Sequence, residues 1–343
     1  MTSDKSKTNS KLKKSLNYLI PIILTVVFLY IAFNDLSIKE VVNKMSDYSL
    51  FWAVVFIFNM LFSHYLRAIR WKVILHSVKP NVKIKNLFGA LMIGYGLNNI
   101  VPRLGEFYRA IKLAKWENLS ASSMVGTVVL ERIIDMIMFG LAVIISGYVY
   151  EGDLYFKFPW LRTTLYIGSA MMVIMILGLI IVILFQEKFY KLITLLVGKF
   201  SVKLSEKLNG IFEMLLKGFA SLKGFRNYVF MLGLSVLIML DYALNSYFGF
   251  LILKMQNLPA LGEKINYSMA WVVMSISSIG VIIPTPGGIG SFHTITRTVL
   301  TALYEFDKEN AAAYGTLSHA ISYVATMAAA VLLYVVLTRQ NEK

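Results

Sequence analysis

Two stretches interrupt the apolar sequence and decide how the chain is read. They are Gly94-Tyr95-Gly96-Leu97-Asn98-Asn99-Ile100-Val101-Pro102-Arg103-Leu104-Gly105-Glu106 and Ile283-Pro284-Thr285-Pro286-Gly287-Gly288-Ile289-Gly290-Ser291. Pro102, Pro284 and Pro286 remove backbone donors and stop helices. Gly287, Gly288 and Gly290 permit close approach and unusual dihedrals. Lipid cannot hydrogen-bond free N–H and C=O groups, so irregular backbone at depth must lie inside protein or beside water. A helix starting near Ser291 would direct N–H groups, which favour anions, toward the membrane interior. The bland alternative is a pair of structural kinks, although a kink needs far fewer such residues.

The surroundings of both stretches are those of a membrane protein. Of the 343 residues 57% are hydrophobic and 15% charged, and mean hydropathy is +0.65, against about a quarter charged in soluble proteins. About 20 helical residues cross a ~30 Å hydrocarbon core. Apolar runs of that order occupy 17–33, 50–66, 122–150, 162–185, 227–253 and 311–338, with the broken stretches inside 86–101 and 267–304. The run at 17–33 lacks a small-residue cleavage site and reads as a retained helix. The composition excludes a soluble enzyme, a disulfide scaffold and a disordered chain. There is no cysteine, and the four histidines (His64, His76, His293, His319) lack metal-ligand spacing, so neither a metal site nor a cofactor is expected.

Orientation follows from the basic residues. The N-terminus, the connections 67–85, 103–115 and 188–226, and the C-terminus together hold 25 of the 34 Lys and Arg. Placing them all in the cytoplasm puts both termini there. The segment 86–102 must then enter and return, and 267–304 must do the same from outside. The expected fold is all-α, with about six full crossings and two opposed re-entrant segments. Eight plain crossings are the competing topology. Pro102-x-x-Gly105 matches Pro284-x-x-Gly287, and Gly126-Thr127 matches Gly315-Thr316, each pair read as opening a long helix. Together with the order of elements, these matches suggest an inverted repeat. The expected layout is a basic tail 1–16, one transmembrane domain 17–338 with halves 17–150 and 162–338, and a tail 339–343. A basic loop at 187–226 has apolar residues at helical spacing (Phe189, Leu192, Ile193, Leu196, Phe200) and suits an anionic inner leaflet.

Charge inside the apolar runs is the second signal. Glu131 sits roughly 13 Å into its helix, with Arg132 and Asp135 following it. Each would cost about 2.5–3.5 kcal/mol at a helix centre, so they must face protein or water and pair. Their spacing places them on one face. Arg103 or Arg109 is within reach of Glu131. The set is either a structural ion network or a polar path. Arg103 and Arg109, with Glu106 between them, could clamp a phosphate or anchor the chain in the cytoplasm. Arg67 and Arg70 are expected to be positive-inside anchors. Asp241 with Asn245 offers a counter-charge or proton site, His293 and Arg297 share one side of a helix, and His319 is expected to be structural.

Asn98-Asn99-x-x-Pro102-Arg103-x-Gly105-Glu106-x-x-Arg109, Glu131-Arg132-x-x-Asp135 and Pro284-Thr285-Pro286-Gly287-Gly288-Ile289-Gly290 together resemble the flippase-like transmembrane region of lysylphosphatidylglycerol synthases. The similarity spans about 17–338. Standalone members exist, some named as archaeal glycosylation proteins. The resemblance implies a bacterial or archaeal plasma membrane and movement of lipids, such as aminoacylated phospholipids, between leaflets. Bifunctional members add a soluble aminoacyl-transferase domain after this region. The chain ends at Lys343, so no lipid-aminoacylating activity is expected. The expected function is a lipid flippase rather than an enzyme. A membrane partner recruiting a lipid-modifying enzyme and a transferase acting on lipid-linked sugar are the alternatives. Expected partners are lipids with anionic or lipid-linked headgroups and no nucleic acid, with a homo-oligomer left open. The residues expected to meet the headgroup are Asn98, Asn99, Pro102, Arg103, Gly105, Glu106, Arg109, Glu131, Arg132, Asp135, Asp241, Pro284, Pro286, Gly287, Gly288, Gly290 and Ser291.

Overall fold

A computed structural model describes residues 19–76, 79–184, 225–259 and 261–341, with 195–196, 201–202, 205–206 and 209–210 between them. The tail 1–16 and most of the loop 187–226 lie outside the described residues. Among the described residues the chain is helical and has no strand. The helices are α1 (Leu19–Phe33), α2 (Ile38–Ser46), α3 (Leu50–Leu75), α4 (Ile84–Ile100), α5 (Leu104–Glu117), α6 (Ala121–Val149), α7 (Leu154–Lys157), α8 (Pro159–Leu184), α9 (Phe225–Ile252), α10 (Tyr267–Ser277), α11 (Ile279–Ile282), α12 (Ser291–Tyr304) and α13 (Lys308–Asn341). Of the described helices, α3, α9 and α13 are long and apolar enough to cross a membrane, and α1 with α2, bent by 85°, makes a fourth if counted as one span.

Local sequence explains several boundaries. The Ser120 side chain caps α6 by accepting the Ser123 N–H, and Asp307 accepts the Asn310 N–H at 2.7 Å at the start of α13. Polar caps of this kind satisfy the free donors of a first turn. The helices therefore begin before Gly126-Thr127 and Gly315-Thr316, which lie inside them and do not open them as expected. Helix α3 runs on to Leu75, past the expected end at residue 66, because Arg67 and Arg70 are buried within it.

The chain divides into two compact units. The first is Met1–Leu61, Gly94–Gly105 and Tyr242–Val331; the second is Phe62–Ile93, Glu106–Asp241 and Leu332–Lys343. In the first unit both broken stretches fold back on themselves. After α4 the chain reverses so tightly that a Cβ at Gly105 would lie 1.7 Å from the Gly94 carbonyl oxygen. The Gly105 N–H donates to Asn98 Oδ1 at 2.8 Å, and Arg103 adopts φ 65°. In the second stretch a Cβ at Gly280 would lie 2.8 Å from the Ser291 carbonyl oxygen, so α11 and α12 run back alongside each other. Gly287, Gly288 and Gly290 all have positive φ (60°, 77° and 87°), the region glycine adopts without steric cost.

Asp35, between α1 and α2, fastens this unit. It accepts from Arg297 Nη1 of α12 at 2.7 Å and from Lys308 Nζ of α13 at 2.6 Å. Arg297 also donates to the Ala32 carbonyl at 2.7 Å. The Lys308 and then the Arg297 hydrogen bond push the Asp35 carboxyl down from 3.8 to about 2. In the second unit Glu117, at the end of α5, accepts from Lys79 Nζ (2.7 Å), Asn86 Nδ2 (2.8 Å) and the Lys83 N–H (3.2 Å). Partial burial pushes its carboxyl up, and these donors outweigh that and hold it below the ordinary value.

Two outcomes are expected. Gly105→Val forces a side chain onto a backbone carbonyl and should prevent recovery of folded protein by size-exclusion chromatography, whereas Gly233→Ala, with nothing within 4 Å of the new Cβ, should be tolerated. The depressed Asp35 pKa contributes stability that is complete above the unfolded value and is lost as pH falls through the folded one. Melting temperature should therefore decline from about pH 4 toward about pH 2, and Asp35→Asn should flatten that limb of the profile.

Candidate functional site

The charges expected on α6 are buried and paired within the second unit. Glu131 is 0% and Asp135 4% exposed. Glu131 Oε1 accepts from Arg67 Nη2 at 2.9 Å, and its Oε2 accepts from Arg109 Nη2 at 2.8 Å. Asp135 accepts from Arg67 Nη2 and Arg70 Nη2, both at 2.5 Å. Arg70 also lies 3.4 Å from Glu131 and donates to Ser235 Oγ of α9 at 3.1 Å. Arg67 and Arg70 sit one turn apart on α3, and Glu131 and Asp135 one turn apart on α6, so two helix faces meet as a double row. The expectation that Arg67 and Arg70 merely anchor the membrane surface is corrected: at 4% and 0% exposure they form the centre of the network.

Arg109 reaches Glu131, as one sequence reading allowed, and its guanidinium stacks 4.8 Å from the Trp71 ring centroid. Trp71 in turn donates to Thr127 Oγ1 at 3.0 Å. The Nε of Arg70 and both Nε and Nη1 of Arg109 are buried without a hydrogen-bond acceptor. At the margin of the network Arg132 pairs with Glu106 at 3.3 Å and lies 3.6 Å from Asp135, with side chains 31% and 26% exposed at Arg132 and Glu106. Asp241 is buried on α9, six residues beyond Ser235, while Asn245 accepts from Asn59 Nδ2 at 3.3 Å.

The remaining expected residues belong to the first unit, where the structure brings the two broken stretches together. Tyr323 of α13 joins them: its hydroxyl donates to the Asn99 carbonyl at 3.3 Å. A Cβ on Gly287 would lie 3.1 Å from the Tyr323 ring and 3.3 Å from Asn99 Oδ1. One turn earlier on α13, His319 Nε2 is 2.8 Å from the Gly287 carbonyl. His293 Nδ1 accepts the Gly290 N–H at 3.2 Å, and the two imidazoles lie 4.8 Å apart, edge to face. Thr285 and Ser291 share a hydroxyl hydrogen bond at 3.0 Å. Arg103 is exposed beside this tip, whereas Arg109 is held by Glu131. His293 and Arg297 do not act as a pair; each is bonded separately, to Gly290 and to Asp35.

Sequence reasoning missed Tyr323, Trp71, Ser235 and the roles of Arg67 and Arg70. The Arg67-x-x-Arg70 spacing matches Glu131-x-x-x-Asp135 turn for turn, and that complementarity was the available signal. Among the described residues no group of three metal-ligating side chains is present.

The network makes a stability prediction. Asp135→Asn leaves three buried guanidiniums facing one carboxylate and should cost about 3–5 kcal/mol. Arg67→Gln equalises the buried charges and should cost less, as read by denaturant unfolding in detergent.

Comparison with known proteins agrees with this architecture. Along 94% of its length the chain is 26% identical to the UPF0104 membrane protein MJ1595 of Methanocaldococcus jannaschii, covering 96% of that protein. It is 27% identical to the UPF0104 membrane protein PH1989 of Pyrococcus horikoshii, with 85% and 87% coverage. It is 22% identical to Glycosyltransferase AglD of Haloferax volcanii over 89% of the chain but only 52% of that relative. Residues 18–330 match the lysylphosphatidylglycerol synthase TM region, and the chain belongs to that family of membrane proteins.

Proposed function

We propose that the protein moves a lipid between leaflets, with the headgroup passing through its polar interior and the acyl chains remaining in the bilayer. The observation that carries the reading is the meeting of two helix-breaking stretches, far apart in sequence, at Tyr323. Proline and glycine breaks are tolerated at membrane depth where they line a cavity or are buried in protein, and transporter folds use such broken helices to build substrate sites. Helix α4, at 17 residues, and α12, at 14, are about 25 Å and 21 Å long. Both fall short of a ~30 Å core, which suits two opposed re-entrant hairpins among six crossings, in an inverted repeat with both termini cytoplasmic.

In this reading Asn98, Asn99 and Arg103 from one hairpin and the Pro284–Ser291 segment from the other meet the headgroup. The Arg–carboxylate network is the second polar place. The membrane is the plasma membrane of a prokaryotic cell, and the chain acts as a transporter rather than an enzyme. The names of the UPF0104 relatives and the lysylphosphatidylglycerol synthase TM region support a membrane role. The name AglD belongs to a protein about half of which aligns here.

The test is leaflet exchange of headgroup-labelled lipids in vesicles holding the purified chain, offering anionic, zwitterionic, aminoacylated and polyprenyl-phosphate lipids. Wild type should exchange one class. Arg103→Ala should abolish most of that exchange, and Tyr323→Phe, which removes only the hydroxyl bonded to Asn99, should slow it several-fold with little change in melting temperature. A folded chain that exchanges none of these lipids defeats the transport reading and favours a partner that recruits a lipid-modifying enzyme.

A further inference from the structure

The buried network is not neutral. Arg67, Arg70 and Arg109 (4%, 0% and 2% exposed) all lie against Glu131 and Asp135 (0% and 4%). The marginal pair Arg132 and Glu106 adds one charge of each sign, so a single positive charge remains in excess within this set of seven side chains. Arginine does not deprotonate in proteins, and both carboxylates already accept from guanidiniums, so the excess cannot be removed by shifting a proton. The surplus has a location. Arg109 gives Nη2 to Glu131 and rests against Trp71, but its Nε and Nη1 donors have no acceptor. Two uncommitted donors on a buried guanidinium carry a large desolvation cost, and an anion with several acceptor oxygens removes it.

We infer that Arg109 is the binding point for a phosphate-type oxyanion that completes the Arg67–Arg70–Arg109–Glu131–Asp135 network. The oxyanion is either a lipid headgroup phosphate or free phosphate; guanidinium donors suit both equally. The way in runs past Glu106 and Arg132. Glu106 lies one turn before Arg109 on α5, and this partly exposed pair is the wet margin of an otherwise closed cluster. The inference names the headgroup chemistry for the transport reading above, but it is decided by binding alone.

The experiment uses the purified full chain in dodecyl maltoside micelles, which carry no phosphate. Inorganic phosphate is titrated against chloride at equal ionic strength while melting temperature is followed. The same chain is then placed in mixed micelles containing phosphatidylglycerol without added phosphate. Wild type should gain several degrees in one or both arms. A gain with inorganic phosphate alone assigns the site to the free ion, with phosphatidylglycerol alone to a lipid headgroup, and with both to either. Glu131→Gln raises the excess charge to two, so it should begin less stable and gain more. Arg109→Gln should gain almost nothing. Arg109→Lys keeps the charge and the Glu131 contact with fewer donors, and should weaken apparent affinity about tenfold, so the inference stays falsifiable if the glutamine variant does not fold. Absence of stabilisation in wild type overturns the site. So does an undiminished response in the Arg109 variants, which would reflect screening of the chain's +15 charge. Leaflet exchange without stabilisation leaves transport standing and removes this site; stabilisation without exchange does the reverse.

Discussion

Five ionised side chains closed on one another inside apolar helices set the register of everything packed around them. Arg67 and Arg70 of α3, Arg109 of α5, and Glu131 and Asp135 of α6 are joined by contacts of 2.5–3.4 Å, and Ser235 brings in α9. Residues adjacent to the charges form the apolar layer beside them: Ile74, Leu130, Ile134 and Met231 cluster together. A one-residue slip of α6 would turn its face by about 100°. It would leave carboxylates among aliphatic side chains and guanidiniums without partners, at several kcal/mol for each uncompensated ion. Apolar helices in lipid gain little from choosing one neighbour over another. The ion network supplies the selectivity that hydrophobic burial supplies in water.

The broken stretches solve a different problem. Their difficulty is loose backbone polarity, and neutral side chains resolve it one group at a time. Asn98 takes the Gly105 N–H, His293 takes the Gly290 N–H, and His319 reaches the Gly287 carbonyl. The partners fix the tautomers. A backbone N–H can only donate, so His293 Nδ1 carries a lone pair. A carbonyl can only accept, so His319 Nε2 carries a hydrogen.

Much of this was legible in sequence, and the failures have physical causes. Proline and glycine act locally, so the breaks could be placed from residues 94–106 and 283–291 alone. The demand that Glu131 and Asp135 be paired followed from solvation. Arg109 was within reach of Glu131 on sequence, but Arg67 and Arg70 follow an apolar run and look like interface anchors, and their matching spacing tells only once α3 is known to lie against α6. Tyr323 and His319 carry no local signature at all; their roles arise only when α13 lies beside both tips. The starts of α6 and α13 fall within a few residues of the apolar runs read from 122 and 311, and Ser120 and Asp307 mark them locally; only the reading of the paired Gly-Thr steps as helix openings failed.

The two kinds of contact also differ in what they permit. Opening the ion network separates charges in a medium of low dielectric, and removing one buried partner is worth about 3–5 kcal/mol. The hairpin tips are held by neutral hydrogen bonds whose net worth is about 1 kcal/mol each, several of them made through single side-chain hinges. At the tips the glycines with positive φ already occupy backbone regions open to rearrangement. The ion pairs therefore hold α3, α5 and α6 more tightly than neutral hydrogen bonds hold the backbone at Asn98–Gly105 and Pro284–Ser291.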